Sequence, residues 1–203
     1  MAKVKICGIT NYEDAANAAI LGADFIGFNF YSLSPRFIDK DDAKRIIEKM
    51  PKNVKNVGVF VNEGLEEVKK IVKDAGLDMV QLHGGETPDY CKQIKEETKK
   101  GVIKSFRINK KEDVEKIKGY DVDYYLFDAF QDGLLGGTGK IFDWNLLKNI
   151  KKPFFLSGGL NCSNVKQAIK TAHPFAVDAA SGIEKNPRKK DIAKMKYFIE
   201  AAK

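Results

Sequence analysis

Cys7 closes an alternating run, Lys3-Val4-Lys5-Ile6-Cys7, that stops at Gly8. Residues two apart on a strand share a face, so Lys3, Lys5 and Cys7 point one way and Val4 and Ile6 the other. A thiol and two ammonium groups on one face suit a strand that lines a site better than one buried in a plain core. A thiol ordinarily ionises near ~8.5, so Cys7 needs help to act as a base at neutral pH. Lys5, one layer below it on the same face, is expected to favour the thiolate. The competing reading makes Lys5 an interior charge paired with a carboxylate.

Asp128 ends the run Tyr124-Tyr125-Leu126-Phe127-Asp128. A carboxyl group behind four large apolar residues is expected to be partly buried, which raises its pKa and keeps a proton available. Cys7 and Asp128 then form a candidate base and acid acting on different atoms of one substrate; the plainer alternative for Asp128 is a loop cap. Arg36, in Ser34-Pro35-Arg36, offers a planar fork for a carboxylate from a loop stiffened by Pro35. Gln81 and His83, in Gln81-Leu82-His83-Gly84, are candidate substrate contacts. His83 reads equally as a proton carrier or a structural histidine. Asp178 is expected to hold either a substrate N–H or a neighbouring lysine.

Positioning these groups requires a regular scaffold. Short apolar runs read as strands at Val4–Cys7, Phe25–Phe30, Val54–Val61, Met79–Leu82, Val102–Phe106, Tyr124–Asp128, Pro153–Leu156 and Phe175–Asp178. Amphipathic stretches between them read as helices at Tyr12–Leu21, Lys40–Lys49, Leu65–Ala75, Pro88–Thr98, Lys111–Lys116, Trp144–Ile150, Ser163–Thr171 and Lys190–Ala202. Thr10 or Asn11 and Thr87-Pro88 are helix starts, while Gly22 and Gly76 stand where left-handed caps end helices. Eight strand–helix pairs in 203 residues predict an α/β fold, a parallel (β/α)8 TIM barrel in a single domain over 1–203. A doubly wound sheet usually has fewer strands at this length.

In such a barrel the site lies at the C-terminal ends of the strands. Gly158 and Gly159 after strand seven let backbone approach a ligand, and Ser181 and Gly182 after strand eight open a turn with exposed N–H groups. Together they predict a phosphate site. Gly136-Gly137-Thr138-Gly139 lacks the Lys-Ser/Thr of a phosphate-cradling P-loop, so it reads as a cover over the site.

Composition narrows the class. Three widely spaced cysteines and only two histidines, His83 and His173, support neither a disulfide framework nor a metal centre, so a metal-free mechanism is expected. The net charge of +7 is carried largely by mixed-sign helix segments, which read as solvated faces and not as a nucleic-acid stripe. It would still draw in an anionic small molecule. No apolar stretch approaches the roughly 20 residues that span a bilayer, and the first residues are a charged strand and not a leader. A cytoplasmic monomer or homodimer without membrane partners is the expectation.

The motifs together resemble the phosphoribosylanthranilate isomerase family of tryptophan biosynthesis. The likeness runs end to end: Lys5-Ile6-Cys7-Gly8-Ile9-Thr10, Ser34-Pro35-Arg36, Val80-Gln81-Leu82-His83-Gly84, Asp128, Gly136-Gly137-Thr138-Gly139 with Phe142-Asp143-Trp144, Ser157-Gly158-Gly159-Leu160 and Ser181-Gly182-Ile183-Glu184. It implies an Amadori rearrangement of N-(5-phosphoribosyl)anthranilate without a cofactor. Asp128 would protonate the ring oxygen, Cys7 would remove the C2′ proton, Arg36 would hold the anthranilate carboxylate, and the two glycine-containing turns would hold the phosphate. Four positions depart from the family pattern: Ala179-Ala180 for a more usual Val-Ser, Arg188 for a common Gly, and Asn29 within strand two. The rivals are a sugar-phosphate epimerase, an indole-glycerol-phosphate synthase and a non-enzymatic anion- or nucleic-acid-binding module. The first lacks its extra histidines here, the second its lysine and glutamate at strand ends, and the third requires a basic stripe.

Overall fold

A computed structural model describes residues 1–129 and 142–203. The Gly136–Gly139 motif, and with it the expected cover, lies outside the described residues. Eight parallel strands close into a barrel in sequence order: β1 (Lys3–Cys7), β2 (Phe25–Asn29), β3 (Lys55–Phe60), β4 (Met79–Leu82), β5 (Gly101–Ile108), β6 (Tyr124–Ala129), β7 (Phe154–Leu156) and β8 (Ala176–Ala179). Closure pairs β8 with β1, placing Lys5 beside Asp178. The TIM-barrel expectation holds.

The helices are α1 (Tyr12–Ile20), α2 (Lys40–Ile47), α3 (Leu65–Ala75), α4 (Pro88–Thr98), α5 (Lys111–Glu115), α6 (Val165–Ala172) and α7 (Ile192–Ala202). Their starts follow local chemistry: Asn11 accepts from the Asp14 N–H, and Thr87, followed by Pro88, accepts from the Tyr90 N–H. Gly76 ends α3 in the left-handed region at φ 72°. Many element ends differ from expectation by one or two residues, and three elements illustrate the differences. The segment read as a helix over 144–150 is a 3₁₀ turn, Trp144–Leu147, because the N–H groups of Leu146, Lys148 and Ile150 bond to carbonyls three residues back instead of four. Strand β5 extends to Ile108, beyond the expected Phe106. The last helix begins at Ile192, capped by Asp191, because β9 (Glu184–Asn186) and β10 (Lys189–Lys190) form a hairpin ahead of it.

Most of the core fills the space between barrel and helices. The lower barrel interior is closed by Phe25, Val57, Met79, Ile103, Leu126, Phe155 and Ala176, the inward residues of seven strands. The charge-rich helix segments behave as solvated faces: Lys69 lies 3.0 Å from Glu66 and 3.1 Å from Glu97, and Lys92 and Lys196 face Glu96 and Glu200 one turn on. No helix of the described residues is long and apolar enough to cross a membrane.

Candidate active site

Above the apolar plug, inward residues at the strand ends line a cavity of about 520 Å³. Cys7 from β1, Gln81 from β4, Asp128 from β6 and Asp178 from β8 share its wall with His83, Ser157 and Arg36. The candidate base, the candidate acid and the four candidate substrate contacts therefore meet in one space. Gly158, Gly159, Ser181 and Gly182 do not line that cavity; their neighbours Ser157 and Ala180 do.

Cys7 sits over a charged layer. Lys5, fully buried, lies 3.1 Å from Asp178 Oδ1, so the paired-carboxylate reading of Lys5 holds, as does the lysine reading of Asp178. Lys5 also bears on Cys7. Burial pushes the Cys7 thiol up, and the Lys5 ammonium, helped by Lys190, pulls it down without cancelling that effect. Burial likewise opposes the Lys5 charge, but Asp178 and Cys7 outweigh it and hold the ammonium above its ordinary value. The activating sign expected for Lys5 is present, and the net position of the thiol is nevertheless upward. In Lys5→Met the thiol is expected to ionise at still higher pH, read from alkylation rate against pH. Urea denaturation should show a loss of about 3–5 kcal/mol, because Asp178 is left buried without its cation. An unmoved alkylation profile would remove Lys5 from the activation of Cys7.

Sulfur and ammonium converge over Gly27, the β2 residue paired with Cys7. A Cβ at this position would stand 2.7 Å from Cys7 Sγ and 3.2 Å from Lys5 Nζ. Gly27→Ala is thus expected to push the thiol out of place and lower kcat by about a hundredfold, the scale of a misplacement near 1 Å. Unchanged kcat in a variant with normal circular dichroism would refute this packing constraint.

Asp128 is buried, as its sequence context required. Its Oδ1 accepts from the Ala129 N–H at 2.8 Å, and its Oδ2 lies 3.5 Å from His83 Nε2. Gln81 Nε2 lies 2.9 Å from His83 Nδ1. With the amide donating, the ring proton sits on Nε2, toward Asp128. Gln81 thus steadies His83 from within the cavity wall. Buried Glu86 accepts from the Asn62 and Gly84 N–H groups and pairs with Lys104 at 2.9 Å, tying the ends of β3 and β4 to the middle of β5. Nothing in the local pattern of either residue pointed to that pair.

The glycine turns have a structural reason. Gly158 and Gly159 both take positive φ, 86° and 66°. A Cβ on Gly158 would collide with the Ala129 backbone and stand 2.8 Å from Asp128 Oδ1, while one on Gly182 would collide with the Leu160 carbonyl. Their small size therefore lets the loops after β6, β7 and β8 close on one another.

Arg36 is held by its own loop. Asn29 donates to Ser34 Oγ at 2.9 Å and accepts from the Tyr31 N–H, and Ser34 Oγ accepts from the Arg36 N–H at 3.1 Å. This explains the polar residue at the end of β2. Arg188, where the family commonly has Gly, turns the β9–β10 hairpin at φ 73°, a conformation glycine adopts without strain. Two residues at the site escaped the sequence reading: Glu184, which grips Arg36, and Lys190, which grips Glu184. Asn186-Pro187 was the signal that a turn, and not the start of a helix, preceded Lys190.

Comparison with known proteins agrees with this architecture. Residues 4–201 match the family model described as N-(5'phosphoribosyl)anthranilate (PRA) isomerase. The N-(5'-phosphoribosyl)anthranilate isomerase of Trichlorobacter lovleyi is 44% identical over 206 residues, covering 100% of this chain and 98% of that protein. A crystal structure of monomers generated from the dimeric phosphoribosylanthranilate isomerase of Thermotoga maritima superposes with a TM-score of 0.90 at 41% identity, covering 100% of this chain and 98% of the other. A phosphoribosylanthranilate isomerase complexed with reduced 1-(o-carboxyphenylamino)-1-deoxyribulose 5-phosphate gives a TM-score of 0.88 at 40% identity, with 100% and 98% covered.

Proposed function

The chain belongs to the N-(5'-phosphoribosyl)anthranilate isomerase family, and on that premise we propose that Cys7 and Asp128 are its base and acid, within one catalytic domain. The protein is an isomerase of tryptophan biosynthesis. Membership sets aside the epimerase, the indole-glycerol-phosphate synthase and the non-enzymatic binding module.

The carrying observation is that Cys7 and Asp128, on β1 and β6, line one cavity with Arg36 at the same wall. In the reaction, Asp128 gives its proton to the furanose ring oxygen as the C1′–O bond breaks, and the amine lone pair forms the iminium. Cys7, as thiolate, then takes the C2′ proton. The electrons of that C–H bond neutralise the iminium and leave an enolamine, which tautomerises to the ketone. No net oxidation occurs, so the residues named suffice without a redox partner.

Arg36 orients the anthranilate carboxylate, and the N–H groups around Gly158-Gly159 and Ser181-Gly182 receive the phosphate. The stacked loops after β7 and β8 support that second role. Gln81 and His83 stand by Asp128, and Asp178 reaches the cavity while holding Lys5. The cysteines Cys7, Cys91 and Cys162 are all free, which suits a reducing compartment such as the cytoplasm. The Thermotoga maritima relative is dimeric and yields monomers; in this chain the catalytic pair lies within one barrel, so either assembly supports the reaction. The test is the loss of phosphoribosylanthranilate fluorescence on adding the wild-type protein. Absence of turnover would overturn the assignment.

A further inference from the structure

Arg36 does not meet the cavity with an empty fork. Its Nε donates to Glu184 Oε1 at 2.8 Å and its Nη2 to Oε2 at 2.7 Å, a bidentate pair across 148 residues of sequence. The side chains are 14% and 5% exposed, so this is not a surface pair. A second cation shares the same carboxylate: buried Lys190 places Nζ 3.0 Å from Oε1 and donates to the Ala180 carbonyl at 3.1 Å. Burial works against the Glu184 charge, but Arg36 and Lys190 outweigh it and hold the carboxyl below its usual range.

A guanidinium has five N–H donors in a fixed planar fork. Glu184 occupies the Nε–Nη2 edge, which leaves the Nη1 side for another anion. The aliphatic stem of Arg36 packs where a Cβ on Gly8 would collide with it, beside the catalytic thiol. Glu184 also follows directly on the 3₁₀ turn Ser181–Ile183, and its carbonyl accepts from Lys194 Nζ at 2.9 Å. The segment 181–184 therefore carries donors for a phosphate at one end and the carboxylate gripping Arg36 at the other.

We propose that Glu184 is the positioning residue of Arg36: it fixes the guanidinium with its Nη1 side toward the substrate carboxylate and ties that end of the substrate to the phosphate end. The proposal rests on Arg36 as the carboxylate contact. Glu184 then sets specificity for the carboxyl-bearing aryl amine without touching a reacting atom. Its contribution is confined to substrates that carry the carboxylate.

The test compares phosphoribosylanthranilate with N-(5-phosphoribosyl)aniline, which lacks the carboxylate, on wild type, Glu184→Gln, Glu184→Asp and Arg36→Met. Both Glu184 variants are expected to raise KM for the anthranilate substrate about tenfold, with kcat changed much less. The kcat/KM preference for anthranilate over aniline should fall by a similar factor. A merely structural role would lower both substrates alike, and that outcome overturns the proposal. So does an unchanged or lowered anthranilate KM, the latter marking Glu184 as a competitor of the substrate. Glu184→Asp keeps the charge beside Lys190 while withdrawing the carboxylate from Arg36, so it carries the test by itself if Glu184→Gln does not fold. Arg36→Met separates the two readings. A preference that survives there refutes Arg36 as the carboxylate contact, whereas one lost there but kept in the Glu184 variants refutes the positioning role alone.

Discussion

Replacing Cys7 by serine is expected to lower kcat by about two to four orders of magnitude, the usual contribution of a positioned general base. Serine keeps the side chain's shape over Gly27 but not its chemistry, since a hydroxyl cannot ionise usefully in that layer. The pH dependence gives a second readout with a definite sign. Burial pushes the thiol up against the pull of Lys5 and Lys190. A base works deprotonated, and the thiolate fraction of Cys7, read from its alkylation rate, should climb with pH through neutrality and level off only above the ordinary thiol range, each pH unit below that plateau costing tenfold in thiolate. Alkylation across pH checks that sign, and steady-state kinetics, with thermal melts to show that the barrel is intact, check the loss of turnover. A Cys7→Ser variant that loses less than tenfold would assign the base elsewhere.

Asp128→Asn is expected to cost kcat about 10²–10⁴-fold by removing the proton donated to the ring oxygen. The change is nearly isosteric. The amide oxygen can still accept from the Ala129 N–H, and Gly158 still has no Cβ to obstruct it. Binding and chemistry should therefore separate: reduced 1-(o-carboxyphenylamino)-1-deoxyribulose 5-phosphate, measured by calorimetry, should bind within a few-fold of wild type while turnover collapses. Loss of binding parallel to turnover would make Asp128 a structural support of the loop after β6. Near-normal turnover would remove it from the acid role.

Several features of this site are legible in the chain itself because their signals are local. Alternation in Lys3–Cys7 is a property of neighbouring residues, and it puts Lys5 and Cys7 on one inward face, where the barrel has them. The apolar run into Asp128 announces a buried carboxyl at a strand end. Thr87-Pro88 and Gly76 mark helix ends by their own backbone preferences. The β9–β10 hairpin is less legible: a helix beginning at Lys190 has a plausible pattern, and only the pairing of Lys189 with Asn186 removes Lys190 from it.

The sequence alone determined the alternating scaffold, the strand ends at which chemistry collects, and the identities of Cys7, Asp128 and Arg36 as the groups with chemistry to offer. Tertiary structure alone decided what each of them faces. Lys5 finds Asp178 across 173 residues because β8 closes on β1 in one register, and a slip of one residue would turn every inward group outward. Arg36 finds Glu184, and Glu184 finds Lys190, because the hairpin after β8 folds back over the end of β2. The physical reason is range. Periodicity, caps and turns act over a few bonds and are written in neighbouring residues, whereas the partner of a buried charge is fixed by barrel closure, which no local pattern records.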